Sequence, residues 1–171
     1  MITPDQKTLL IANAAGNDVV LMNPTTGELT GRVPDIIDPY QIGYSPNNKW
    51  FVANGNRLDR VDVYHAQGSD LKLAKSVKLG KTPSHLAFTA DSKLVFITLQ
   101  DSNELAAIDL DTQAVVWRMT TGRVPAGVWM TPGDQYLLVG ITGEDYVQVI
   151  DWKNRKEVKR IITGKGAHNF R

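Results

Sequence analysis

Five side chains of this 171-residue sequence could act on one ligand: Lys81, His85, Arg123, Lys165 and His168. The cations recur as Gly80-Lys81, Gly122-Arg123 and Gly164-Lys165, at steps of 42 residues, and a histidine follows closely on the first and the last. Three cations gathered at one place would attract a carboxylate, a phosphate or another small anion. A histidine beside them could carry protons or ligate a haem iron. Two histidines with no third spaced donor do not specify a metal site, so no metal is expected. A lone basic residue after a glycine is also an ordinary solvated turn residue. Nucleophile elbows, phosphate-binding glycine loops and His-Glu-x-x-His are missing from the sequence, so no catalytic residue is assigned.

The elements that would position these residues are written in a repeat. Thr3-Pro4-Asp5-Gln6-Lys7, Ser45-Pro46-Asn47-Asn48-Lys49, Thr89-Ala90-Asp91-Ser92-Lys93 and Thr131-Pro132-Gly133-Asp134-Gln135 begin at steps of 42, 44 and 42 residues. Asn23, His65, Asp109 and Asp151 close apolar runs at the same steps. Short strands at a period of about 40–45 residues indicate a β-propeller. The repeats run about 3–44, 45–88, 89–130 and 131–171, within one all-β domain over 1–171. The expectation is four blades of four antiparallel strands, a to d from the inside outward.

In the third repeat, Leu94–Leu99 reads as strand b, Glu104–Asp109 as c, Ala114–Met119 as d and Ala126–Met130 as strand a of the next blade. The b runs are apolar on both faces, as strands sandwiched between blades must be. The d runs, such as Glu157–Ile162, mix charge with apolar residues and suit an outer edge. Trp50, Trp117, Trp129 and Tyr136 read as inter-blade core. Asn23, Asp109 and Asp151 read as turn residues whose side chains bond to nearby backbone, and His65 also reads as a turn residue. The b–c and d–a connections should share one end of the ring, which brings the five candidate residues toward the central channel.

The motif Thr-Pro-Asp-x-Lys, then Leu10-Ile11-Ala12-Asn13, then Asn17-Asp18-Val19-Val20 and a closing Asn or Asp, resembles the YVTN-type β-propeller repeat family. Family members are similar to the haem domain of cytochrome cd-type nitrite reductase and to quinoprotein amine dehydrogenase propellers. The resemblance implies seven or eight blades, and a periplasmic or extracellular location. The expected function is a non-catalytic scaffold that binds a ligand or a protein. The alternative is a propeller that holds a haem-like or quinone cofactor in an oxidoreductase or electron-transfer protein, with His85 and His168 as its first candidates.

Composition narrows the partners. A net charge of +1 gives no general reason to expect nucleic acid or an anionic membrane as partner. No apolar run reaches the roughly 18 residues of a membrane helix, and no signal peptide is visible at Met1-Ile2-Thr3-Pro4. The absence of cysteine excludes disulfides and covalent haem attachment within this sequence. The first blade is expected to lack its own strand a, and residues 166–171 align with strand a of a further blade. Three assemblies stay open: part of a seven- or eight-bladed chain, a four-plus-four homodimer, or a closed four-bladed ring.

Overall fold

A computed structural model describes residues 1–168 as a β-propeller segment. The first sheet contains β1 (Leu9–Asn13), β2 (Asp18–Met22) and β3 (Leu29–Pro34). The second contains β4 (Pro39–Tyr44), β5 (Trp50–Gly55), β6 (Arg60–Gln67) and β7 (Asp70–Lys78). The third contains β8 (Pro83–Phe88), β9 (Leu94–Leu99), β10 (Glu104–Asp109) and β11 (Ala114–Thr120). The fourth contains β12 (Pro125–Met130), β13 (Leu137–Ile141), β14 (Tyr146–Asp151) and β15 (Lys156–Ile162). Every pairing is antiparallel and between sequence neighbours, so each sheet is a meander. No helix among the described residues is long and apolar enough to cross a membrane.

The first sheet therefore has three full strands, not four. A stub of its inner strand is nevertheless present. Ile2 bridges Leu9, and Leu10 N–H donates to Met1 O at 2.7 Å. Ile2 stands 42 residues before Tyr44, which pairs with Phe51 in the second blade. Met1 and Ile2 thus continue an inner-strand path.

The repeated turn sentence is the a–b connection, and its chemistry explains its spelling. Thr89 Oγ1 donates to Asp91 Oδ1 at 2.6 Å and accepts from Leu94 N–H at 3.0 Å. Lys93 N–H donates to Asp91 Oδ1 at 3.0 Å. The same bonds form around Thr3 and Asp5, and around Ser45 and Asn47. Gln6, Asn48, Ser92 and Asp134 take the positive φ that the tight turn requires, at 54–63°.

Apolar sheet faces pack blade against blade. Leu10 and Val19 meet Phe51 and Tyr64 between the first two blades. Trp50, Val52 and Val63 meet Val95, Ile97 and Ile108 between the second and third. Phe96, Leu105 and Trp117 meet Leu137, Val139 and Ile150 between the third and fourth. The outer strands β3, β7, β11 and β15 are mostly exposed. Inner strand β8 lies beside β4 and β12, which sets one side of a channel.

Candidate binding site at the inner strands

The b–c and d–a connections meet at one end of the blades. Asn17 Oδ1 accepts from Asp38 N–H at 3.0 Å, Asp59 Oδ1 from Thr82 N–H at 2.9 Å, and Asn103 Oδ1 from Val124 N–H at 2.8 Å. All six residues have positive φ, between 53° and 59°. Asn and Asp accept that conformation readily, whereas a β-branched residue such as Val124 is strained in it. The side-chain acceptors hold the strained d–a turn and so aim the strand that follows it. The scattered acidic and amide residues of the b–c loops thereby acquire a structural role.

The five candidate residues fall into three groups. Lys81 is exposed and lines a recess with Asp59, Ser102 and Arg118, its N–H donating to Ser102 Oγ at 2.8 Å. Arg123 and Lys165 share the next recess, of about 520 Å³, with Glu144 and Asp145. There Arg123 Nη2 donates to Gly143 O at 3.0 Å, and its Nε lies 3.9 Å from Glu144. The cations stand at successive blade junctions, and neighbouring carboxylates offset their field.

His85 and His168 do come together. Their rings meet edge to face with centroids 5.0 Å apart, and Tyr40 meets His85 edge-on at 6.0 Å. His85 lies on β8 and is 7% exposed. Its Nδ1 lies 2.8 Å from Ser84 Oγ, and no described protein group bonds to Nε2. Burial, with a smaller contribution from His168, lowers its pKa to about 4. At neutral pH His85 is therefore a neutral donor and acceptor, not a cation.

Polar residues of the b strands fix this corner. Thr98 Oγ1 accepts from His85 N–H at 3.0 Å and donates to Ala126 O at 2.7 Å. Asn54 Nδ2 donates to Ser84 O at 2.8 Å. Gln41 Oε1 accepts from Leu86 N–H at 2.5 Å. The sequence reading missed Tyr40, Gln41, Asn54, Ser84 and Thr98. Asn54 and Thr98 did leave a signal: each is a polar residue in an otherwise apolar buried strand, and they stand 44 residues apart.

Two other expectations need correction. His65 is not a turn residue: it lies within β6 and stacks on Trp50 at 4.5 Å. Trp129 is not inter-blade core here. It is 48% exposed, because its side of the fourth blade carries no described neighbouring blade. Trp50 and Trp117 are buried between blades. Asp109 and Asp151 cap their turns through Thr112 N–H at 2.8 Å and Asn154 N–H at 3.0 Å.

The histidine pair also tests the fit of a haem. The two rings meet edge to face with centroids 5.0 Å apart, which leaves no room for an iron between them. The pair does not fit that role together. Were a haem-like group bound, His85 Nε2, to which no described protein group bonds, would be the atom to hold it.

A family model described as YNCE-like beta-propeller matches residues 1–171. No curated protein matches the chain. Among solved structures, Kuenenia stuttgartiensis hydrazine synthase shares 23% identity at a TM-score of 0.84, over 95% of this chain and 48% of its own. A Pseudomonas aeruginosa periplasmic gluconolactonase shares 18% identity at a TM-score of 0.82, over 99% of this chain and 54% of its own. A Bacteroides uniformis protein provisionally assigned as a 6-phosphogluconolactonase shares 15% identity at a TM-score of 0.84, over 98% and 55%. Likeness at these identities establishes the fold. The chain spans about half the length of each of these structures.

Proposed function

The chain belongs to the YNCE-like β-propeller family, and we propose that it is a rigid, non-catalytic binding platform whose ligand meets the inner strands at His85 and His168. One observation carries the reading: the buried, neutral His85 ring meets His168 and Tyr40 while Ser84 occupies only its Nδ1. The ligand class is a small anion. It would take hydrogen bonds from the imidazoles, with Lys81, Arg123 and Lys165 around the rim as cations that neighbouring carboxylates partly offset. The alternative is an enzyme-like or electron-transfer propeller with a haem-like or quinone cofactor at His85. When bound, such a group would supply the redox chemistry, and His85 would hold and orient it. The periplasmic gluconolactonase among the structural neighbours supports an exported location.

Histidine-detected NMR tests the proposal, with acetate, citrate, gluconate and phosphate as titrants. A saturable shift of the His85 and His168 ring signals is expected with at least one of them. His85→Ala should abolish it, and Lys72→Ala on β7 should leave it unchanged. Absence of any saturable shift overturns the platform reading at this site. A visible chromophore in the purified protein would favour the cofactor alternative.

A further inference from the structure

His85 is neutral at ordinary pH, so one ring nitrogen carries a proton and the other a lone pair. Which is which decides what the ring can hold. Ser84 Oγ lies 2.8 Å from Nδ1, a contact that either a Ser84 O–H donor or an Nδ1–H donor could make. The surroundings of Ser84 separate the two. Ser84 is fully buried, at 0% exposure. Among the described residues, its Oγ has no bonding partner other than His85 Nδ1. Asn54 donates its Nδ2 to the Ser84 carbonyl at 2.8 Å, and its own buried Oδ1 bonds to nothing described.

A hydroxyl can accept as well as donate, but its hydrogen still needs an acceptor. If Nδ1 carried the ring proton, Ser84 Oγ would accept it, and the buried Ser84 hydrogen would have no acceptor. A buried donor without a partner is costly. If Ser84 donates instead, Nδ1 accepts and the ring proton sits on Nε2. That arrangement satisfies both groups. The repeat does not itself call for this pair. Tyr40-Gln41 stands 44 residues before Ser84-His85, and Ala126-Gly127 stands 42 residues after it. Strands β4 and β12 thus form without a serine beside an imidazole.

We propose that Ser84 fixes the tautomer of His85: its hydroxyl donates to Nδ1, keeps the ring proton on Nε2, and makes the histidine a hydrogen-bond donor toward its ligand. The inference rests on the binding-platform reading and narrows the ligand to one that presents an acceptor oxygen, such as a carboxylate. A metal cation, haem iron included, is disfavoured at Nε2. It needs the Nε2 lone pair, hence a proton on Nδ1 and a Ser84 hydrogen without an acceptor. Ser84 is a positioning residue, since it acts only through the ring.

Long-range proton–nitrogen correlation NMR on the isotope-labelled 171-residue chain tests this before any ligand is added. Loss of its signals in His85→Gln identifies the ring. The wild type should show a protonated-type shift at Nε2 and an unprotonated-type shift at Nδ1, with that tautomer in about tenfold excess or more. Ser84→Ala, which installs the residue found at this place in the next blade, should move the ratio toward that of free imidazole, and Ser84→Thr should restore it. A wild-type ring protonated at Nδ1, or an unchanged ratio in Ser84→Ala, overturns the role of Ser84 and leaves the platform reading standing. Acetate and Zn²⁺ are then titrated separately. Acetate should shift the His85 Nε2–H signal, and Zn²⁺ should shift the exposed His65 at lower concentration than His85. Zn²⁺ reaching His85 first overturns the preference for an oxygen ligand. An Nε2–H ring that neither acetate, citrate, gluconate nor phosphate shifts supports the tautomer and overturns the platform reading.

Discussion

Thr98 shows how one hydroxyl can hold a site. It is fully buried in strand β9, accepts from the His85 backbone, and donates to Ala126 across the blade junction. Thr98→Val keeps the shape and removes both bonds. Leaving buried backbone groups unpaired costs about 1–3 kcal/mol, so urea denaturation should show a loss of that size, and Thr98→Ser should recover most of it. His85 makes a second prediction at this scale. Its folded pKa, about 4, lies below the ordinary histidine value of 6.5 because of burial and then His168. The unfolded chain therefore binds the proton more readily between those two pH values. The stabilisation that neutral His85 provides is full above about pH 6.5 and lost as pH falls toward 4. Stability should drop on the order of 1–2 kcal/mol across that window after allowance for solvent at the channel. His85→Asn should remove this slope in denaturation measured at several pH values. The sequence displayed the histidines but not their meeting. Their approach depends on residues 167–168 entering the path of a next inner strand; the repeat aligns them with strand a, but edge-to-face contact between rings on neighbouring strands leaves no periodic trace.

At the scale of elements, the strands and the a–b turns were legible because the same side-chain bonds recur at each of them. Thr89 and Asp91 are both spelled out in the sequence, and their bonds need only local chain. The d–a turns were less legible. Lys81 and Arg123 stand out as cations, but the turns are held from another strand connection, by Asp59 and Asn103 some 20 residues away. A long-range pin of this kind leaves no periodic hydrophobic trace. It also puts Val124 at φ 53° while it is 37% exposed. Val124→Asn removes β-branching at a left-handed position and loses little burial. Strain of this type costs on the order of 1–3 kcal/mol, so the variant should be more stable than wild type by about 1 kcal/mol in thermal or urea unfolding. Gly140 acts in the opposite sense. A Cβ there would lie 2.7 Å from Ala167 O. Gly140→Ala should push segment 164–168 away, lengthen the bond from Gly127 N–H to His168 O, and raise hydrogen exchange at Gly127 by tenfold or more. Unchanged exchange would mean that the segment is not seated on β13.

At the scale of the whole molecule, a propeller stores its stability in contacts between neighbouring blades, much as linear repeat proteins do. Interior and terminal faces should therefore answer differently to the same chemical change. Phe96 is fully buried between the third and fourth blades. Phe96→Ala should cost about 3–5 kcal/mol, as removal of a packed aromatic ring does, and the loss should not depend on protein concentration. Leu138 occupies the same repeat position one blade later, on the outer face. In a dilute single copy, Leu138→Ala should change stability by no more than about 0.5 kcal/mol, the range of surface substitutions. Leu138→Ala should therefore leave the melting temperature of the 171-residue chain nearly in place, whereas Phe96→Ala should lower it by several degrees. Differential scanning calorimetry on the two variants separates the two patterns. If both variants instead lose stability equally, the side of β13 that carries Leu138 is packed as closely as the side of β9 that carries Phe96.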